Sequence, residues 1–391
     1  MIALLIGLIG LGTALLIANG MQRTLKTRED QPATTVLICA RDEEGHLANL
    51  LASLEAQDYP VKKLKILLVD HLSKDSTGVL MDEFARQSRF AARVLHLKEE
   101  DEILKGKVHG MAEGLDLVDT EYALITDGDC VAPATWVSSM MRHFTDRMDA
   151  IGGLVTVEKI EGKERPVEHM QRVDHWYYLA MMAGLTNSCG PGDGRYCWFD
   201  KLPKAVIRIT GRFHPAFLIG NNLGIRMSVY RETGGYRAVG STVVEDYALM
   251  NHFVQHSRGA MEMVLEPEAR IKTAPIRKLK TLWRQKRRWA TGMRIFNALN
   301  TLIFTLIFLI RIVVPWSLLL APWHAVAAML MMAAGDWIVI RRISTRTGDK
   351  VHTWEILVQE FYQIALNHLL LIAWLTRWPV VWKGEVYRRP R

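Results

Sequence analysis

The sequence predicts an α/β protein, a doubly wound mixed or parallel sheet, with transmembrane helices at the N- and C-terminal ends. Three observations carry this. β-Branched and apolar runs alternate with amphipathic stretches through residues 34–126, joined by short connections, the pattern of strands linked by crossover helices. Residues 2–18, IALLIGLIGLGTALLIA, carry no charge, and most of 300–340 is equally apolar. A run of about 18 such residues can cross a bilayer core. Finally, two of the strand-like runs end on aspartates, at Asp70 and at Asp127-Gly128-Asp129. In doubly wound sheets, ligands bind beyond the carboxyl ends of the strands.

In chain order, residues 1–20 read as a membrane anchor. No basic residue precedes the apolar run and no small-x-small site follows it, so it is expected to be retained rather than cleaved. Arg23, Lys26 and Arg28 come next. The positive-inside rule then places the following domain in the cytoplasm. That domain is expected over residues 30–275. TTVLIC (34–39) reads as a strand, ARDEEGHLANLLASLEAQ (40–57) as a helix and LKILLVD (64–70) as a strand. A helix over 76–90, the strand RVLHL, a helix over 106–118 and the strand YALIT follow. Residues 187–215 lose periodicity and are rich in glycine, as in a loop or insert. FLIGNNLGIR then reads as a strand and SVYRETGGY as a helix.

Residues 276–299 hold a basic stretch without a single acid, its cations interleaved with Leu279, Leu282, Trp283, Trp289 and Met293. This predicts an interfacial helix on an anionic membrane face. The C-terminal region, 300–391, carries apolar runs near 300–320 and 323–340 and a shorter one over 361–376. Basic segments at 341–346 and at the tail would both lie in the cytoplasm, which two crossings plus one interfacial or re-entrant helix satisfy. The pI of about 9.3 admits nucleic acid as a partner, but the cations cluster beside apolar segments, which points to anionic lipid instead. Cys39, Cys130, Cys189 and Cys197 are scattered without CxxC spacing, as suits a reducing compartment.

The chemistry concentrates at four places. Asp127 and Asp129, one residue apart at a strand end, can share one face of the chain. Such a pair suits a hard divalent cation, Mg²⁺ or Mn²⁺, which would neutralise a diphosphate that the carboxylates alone repel. Asp70 could accept a hydrogen bond from a nucleobase N–H; an aspartate there also serves as a turn or helix cap. Glu245-Asp246 stand at an expected helix start, where acids favour the dipole and where a general base could equally sit. Gln285, Arg288 and Trp289, in QKRRW, could hold a departing diphosphate and stack on a sugar.

These signatures, in this order, resemble the membrane-bound family 2 glycosyltransferases of the GT-A fold, which include cellulose, chitin and hyaluronan synthases and ceramide glucosyltransferase. ARDEEGHLANLLASL, TDGDCVAPATW and GNNLGIRMSVYRETGGY extend the likeness across residues 34–300. The resemblance implies an inverting hexosyltransferase using a nucleotide sugar, UDP-linked, with Mg²⁺ or Mn²⁺. It assigns Asp246 as catalytic base with Glu245 beside it. Asp70, Lys107, Asp127 and Arg288 would bind the nucleotide sugar, Asp127 and Asp129 the metal, and Gln285 and Trp289 the acceptor. His71 departs from a second aspartate common in soluble members, and Glu385 from a tail arginine. The limited number of C-terminal segments favours a lipid-like acceptor (a glycolipid, carotenoid or polyprenyl carrier) over a processive polysaccharide synthase. A non-catalytic scaffold is disfavoured by the intact motifs. The expected setting is the cytoplasmic membrane, multi-pass, with no nucleic-acid partner.

Overall fold

A computed structural model describes residues 1–21, 26–159, 165–188, 217–257, 259–292, 298–376, 380–382 and 385–387. The apolar N-terminal run is a helix, α1 (Ile2–Gly20). The α/β domain then opens with β1 (Thr34–Ala40), α2 (Leu47–Glu55), β2 (Leu64–His71), α3 (Thr77–Gln87), β3 (Ala91–Leu97), α4 (Lys107–Asp116) and β4 (Tyr122–Thr126). These match the expected strand–helix alternation. α2 starts later than its amphipathic pattern suggests, because Asp42 adopts φ 55° and breaks the chain out of helix. Leu72, just beyond β2, has φ 59°. Left-handed φ is uncommon outside glycine and tends to cluster where a site needs it; both residues lie at carboxyl ends of strands.

The domain continues through β5 (Cys130–Val131), α5 (Trp136–Arg142), β6 (Met148–Gly153), β7 (Val155–Val157) and α6 (Pro166–Ser188). The glycine-rich loop expected at 187–215 lies almost wholly outside the described residues. Next come β8 (Leu223–Arg226), α7 (Met227–Thr233), α8 (Gly235–Val239), α9 (Glu245–His256), β9 (Ala260–Val264) and β10 (Ile271–Thr273). The single helix expected over SVYRETGGY is two, divided at Gly234, whose φ of 81° only glycine adopts at little cost.

Seven strands form one sheet in the order β3-β2-β1-β4-β8-β6-β9. β1 is parallel to β2 and β4, whereas β8 is antiparallel to both β4 and β6, so the sheet is mixed. β1 is buried throughout. Its residues alternate between two cores: Leu37 and Cys39 enter one, Val36, Ile38 and Ala40 the other, as the two-residue period of a strand requires. A small sheet, β5-β10-β7, closes the far side of the Asp127–Asp129 turn.

The basic stretch forms α10 (Leu279–Gly292), followed by α11 (Ala298–Trp316), α12 (Pro322–Thr347), α13 (Thr353–Leu375) and the paired strands β11 (Val380–Trp382) and β12 (Glu385–Tyr387). Residues 293–297, within the basic helix expected at 276–299, are outside the described set. Among the described residues, three helices are long and apolar enough to cross a membrane: α1, α12 and α13. α1 and α12 meet through small residues. A Cβ on Gly7 would lie 2.8 Å from the Ala328 backbone, and one on Gly335 2.9 Å from Ala14. Close approach at small residues is how membrane helices associate. Because Gly7 faces Ala328 and Ala14 faces Gly335, the two helices run in the same direction.

α13 corrects the short run expected at 361–376. Its hydropathy understates its length because its polar residues face inward. Glu355, Gln359, Glu360, Gln363 and Asn367 are buried, while Trp354, Leu357, Val358, Phe361 and Leu369 are exposed. The four-residue spacing puts the polar groups on one face. On α11, Arg311 pairs with Asp336 of α12 and, at 3.2 Å, with Glu360 of α13, so these buried charges are matched. β11 packs back against α10.

Candidate active site

β4 delivers its terminal residues to the carboxyl edge of the sheet. Thr126 donates its hydroxyl to the Asn221 carbonyl at 2.9 Å, tying this edge to the residues before β8. The chain then turns, with the Cys130 N–H donating to the Asp127 carbonyl at 3.2 Å. Gly128 leaves the turn closely packed: a Cβ would lie 3.1 Å from the Ala40 side chain and 3.2 Å from that of Glu43. The Ala274 N–H donates to the Asp129 carbonyl at 3.2 Å, so β10 fixes the turn from the other side.

Lys107 opens α4 and reaches across the site. Its Nζ is 2.6 Å from Asp127 Oδ1 and 3.1 Å from Glu245 Oε1. Burial opposes the ammonium charge, but Asp127 and Glu245 hold the Lys107 pKa well above the usual lysine range. Asp129 feels Lys107 only weakly, as the smallest of the influences on it. Burial, then Asp127 and Glu43, push its carboxyl up to about 6. Like charges this close cannot all ionise freely. A divalent cation would relieve that crowding, and the oxygen-only donor set of Asp127 and Asp129 fits Mg²⁺ or Mn²⁺.

Glu245 and Asp246 occupy the first turn of α9. Burial disfavours the Glu245 carboxylate, yet Lys107 and Arg288 draw its pKa below the usual value. Asp246 is shifted the other way, raised by burial and by Glu245. Its two oxygens are aimed by the backbone: Gly220 N–H donates to Oδ2 at 2.8 Å and Tyr247 N–H to Oδ1 at 2.7 Å. Burial and the surrounding charges thus act on these two adjacent carboxyl groups in opposite directions.

α10 supplies the third wall. Arg288 donates to the Val243 carbonyl at 2.8 Å, and its Nη1 is 4.0 Å from Glu245 Oε2. Trp289 meets Tyr178 of α6 edge to face, centroids 6.0 Å apart. Lys286 was expected among the membrane-facing cations and is not one. It is buried, forms an ion pair with Asp174 of α6 and lies 4.3 Å over the Trp289 ring. The helix turns Leu282 and Lys286 inward and leaves Lys280 and Arg284 outside, since residues four apart share a face.

One cavity of about 560 Å³ joins these groups. Asp127, Asp129, Lys107, Glu245, Asp246, Gln285, Arg288 and Trp289 all line it. It continues past Tyr177, Tyr178 and Met182 to Phe308 and Arg311 of α11 and to Gln363, Asn367 and Leu370 of α13. Asp70 is not among its lining residues. Asp70 Oδ2 is 3.0 Å from His96 Nδ1, and its Oδ1 accepts from the Ser73 N–H at 3.2 Å. The next residue, His71, faces the cavity instead, because neighbouring strand residues point to opposite sides. Glu43, Asp174, Tyr178 and Lys286 were not singled out from sequence. An acid beside aromatics in VDHWYYLAMM was a visible signal for Asp174.

A GT-A core, with a carboxylate pair at the end of a central strand and membrane helices beside it, is therefore the class defined by fold and site. The chain belongs to the glycosyltransferase family 2: the family described as "Glycosyltransferase like family 2" matches residues 32–292. A second family, "Glycosyl transferase family 21", matches residues 207–389. Among curated proteins, the chain is 24% identical over 276 residues to the probable glycosyltransferase YdaM of Bacillus subtilis, covering 68% of this chain and 56% of YdaM. It is 28% identical over 125 residues to the glycosyltransferase AglE of Haloferax volcanii, covering 32% of this chain and 40% of AglE. The chain thus spans about half the length of these relatives. Its fold is similar to that of the mannosyltransferase PcManGT from Pyrobaculum calidifontis, solved with GDP-Man and Mn²⁺, with a TM-score of 0.57, 15% identity and coverage of 96% and 97% of the two chains.

Proposed function

We propose that this protein is an inverting glycosyltransferase that moves a sugar from a nucleoside-diphosphate sugar, read as UDP-linked, to a hydroxyl of a membrane lipid-like acceptor. The observation that carries this reading is the continuity of the cavity. It runs from the carboxylates at the sheet edge to side chains of α11 and α13, so an acceptor can stay in the membrane while its hydroxyl reaches the donor. The match to family 21, a glucosylceramide synthase-like family, supports a lipid acceptor.

In this mechanism Asp246 accepts the acceptor proton while the acceptor oxygen bonds to the anomeric carbon. The carbon–phosphate oxygen bond breaks on the opposite face, inverting the configuration, and the nucleoside diphosphate leaves. The Gly220 and Tyr247 amides orient the Asp246 carboxylate, and a positioned base of this kind contributes about 10²–10⁴-fold. Lys107 and Arg288 stabilise negative charge on the leaving diphosphate. A divalent cation held by Asp127 and Asp129 would add Lewis-acid stabilisation there; the Mn²⁺ in PcManGT supports that assignment. Gln285 and Trp289 line the acceptor mouth.

Membrane orientation follows the positive-inside rule. With α1 entering the cytoplasm at Arg23–Arg28, the parallel α12 brings its basic end, 341–346, to the same side. The test is mass spectrometry of lipid extracts incubated with purified protein and a panel of nucleotide sugars. A lipid heavier by one hexose, formed only with a divalent cation, is expected. A ladder of sugars, or release of nucleotide without any lipid product, overturns the acceptor assignment.

A further inference from the structure

A second cluster of ligating side chains lies beside the donor end of the cavity. His71 ends β2, Glu100 lies in the connection from β3 to α4, and His109 sits in the first turn of α4. His71 Nε2 is 3.5 Å and His109 Nδ1 3.8 Å from the same oxygen, Glu100 Oε2. All three ligand atoms lie within 4.8 Å of one another. A tetrahedral zinc with bonds of about 2.0–2.1 Å separates its ligand atoms by roughly 3.4 Å, so only small movements would close this set.

The second observation is what these nitrogens lack. Among the described residues, His71 Nε2 and His109 Nδ1 are both buried and have no hydrogen-bond partner, although a buried polar atom is normally satisfied. The two rings meet edge to face with centroids 5.5 Å apart, and both nitrogens lie within 4 Å of the Glu100 carboxylate. Glu100 is itself supported: its Oε1 lies 3.4 Å from Arg41 Nη1, and the Gly106 N–H donates to Oε2 at 3.2 Å. A ligating carboxylate is commonly held in this way by outer partners.

We propose that His71, Glu100 and His109 form a zinc site, distinct from the Asp127–Asp129 pair. Two imidazoles and one carboxylate select zinc over Mg²⁺, which prefers oxygen alone. Three protein ligands leave a fourth position for water, on the side where His71 lines the cavity. The bound ion ties the end of β2 to the first turn of α4. Lys107 is two residues before His109 in that turn, so the zinc site positions the lysine that bridges Asp127 and Glu245. The proposal does not rest on the identity of the sugar or the acceptor.

The test uses the full chain in detergent, stripped by chelator and reloaded with Zn²⁺ or with Co²⁺ as a visible probe. One tightly held zinc per chain is expected by elemental analysis, and it should survive Asp127→Asn. His71→Gln, His109→Gln and Glu100→Gln should each lose the zinc and the cobalt absorption, with Mn²⁺ binding at the other site retained. Wild-type protein that binds no zinc, or His71→Gln and His109→Gln variants that keep full occupancy, overturn the proposal. If a variant does not fold, zinc-edge X-ray absorption of the wild-type protein decides. Two imidazole ligands support the site; sulfur ligands or none from imidazole refute it.

Discussion

Lys286 and Asp174 form an ion pair in the protein interior, 3% and 0% exposed at their side chains. Gln359 and Gln363 of α13 donate to the same aspartate. The pair joins α10, α6 and α13, and so links the family signature on α10 to the membrane helices. Replacing Lys286 by Met leaves a buried carboxylate without its cation, which costs about 3–5 kcal/mol. Thermal unfolding in detergent should show that loss, with much of it recovered when Asp174→Asn is added. Arg284→Lys, on the outer face of the same helix, should leave the melting temperature unchanged.

Arg288 should behave unlike its basic neighbours. It is anchored on the Val243 carbonyl and stands near Glu245, and a guanidinium can grip two phosphate oxygens where lysine offers a point charge. Arg288→Lys is expected to lose most transfer activity while membrane association is retained. Trp289→Leu should weaken acceptor use more than donor binding, measured as a rise in KM for the lipid. Equal, mild effects for Arg288→Lys and Arg284→Lys would show that the motif serves only as an anchor.

Asp246→Asn keeps the shape of the side chain and one of its acceptor oxygens. Donor binding, followed by calorimetry, should therefore persist, while transfer falls by roughly 10²-fold or more. Lost donor affinity with unchanged turnover at saturation would move Asp246 to the donor site.

Metal binding at Asp127 and Asp129 should depend on pH in a defined direction. The Asp129 pKa is raised to about 6 in the metal-free protein, so below pH 6 a cation must displace a proton. Mn²⁺ affinity should fall about tenfold per pH unit below that point and level off above it. The sign for stability is the reverse. A carboxyl with a raised folded-state pKa stabilises the metal-free fold at low pH, and that contribution fades as pH rises through 6. Asp129→Asn should remove both dependences and abolish metal-stimulated turnover.

Much of this was legible in the sequence because strand period and strand-end chemistry are local. Residues 34–39, 64–70 and 122–126 read as strands from their β-branched and apolar runs, and Asp127, Asp129, Glu245 and Asp246 follow from their place at element ends. Long-range placement was not legible. Nothing local distinguishes Lys286 from Arg284 until α6 supplies Asp174. Asp70 and His71 are equally plausible ligand contacts until the register of β2 decides which faces the cavity. α13 read as short because polar residues lower hydropathy wherever they point, and only packing reveals that they point inward.

The reversed polarity of α13 carries a consequence for biogenesis. A helix that presents Glu355, Gln359, Glu360, Gln363 and Asn367 on one face is a poor substrate for insertion by itself, since an acidic side chain at a helix centre costs about 2.5–3.5 kcal/mol on insertion scales. Arg172, Asp174, Lys286 and Arg311, which meet that face directly or through it, are all translated earlier. An α13 inserted in a bilayer would therefore need the catalytic domain and α11 as its template, and a folding defect in the soluble part should lower its insertion.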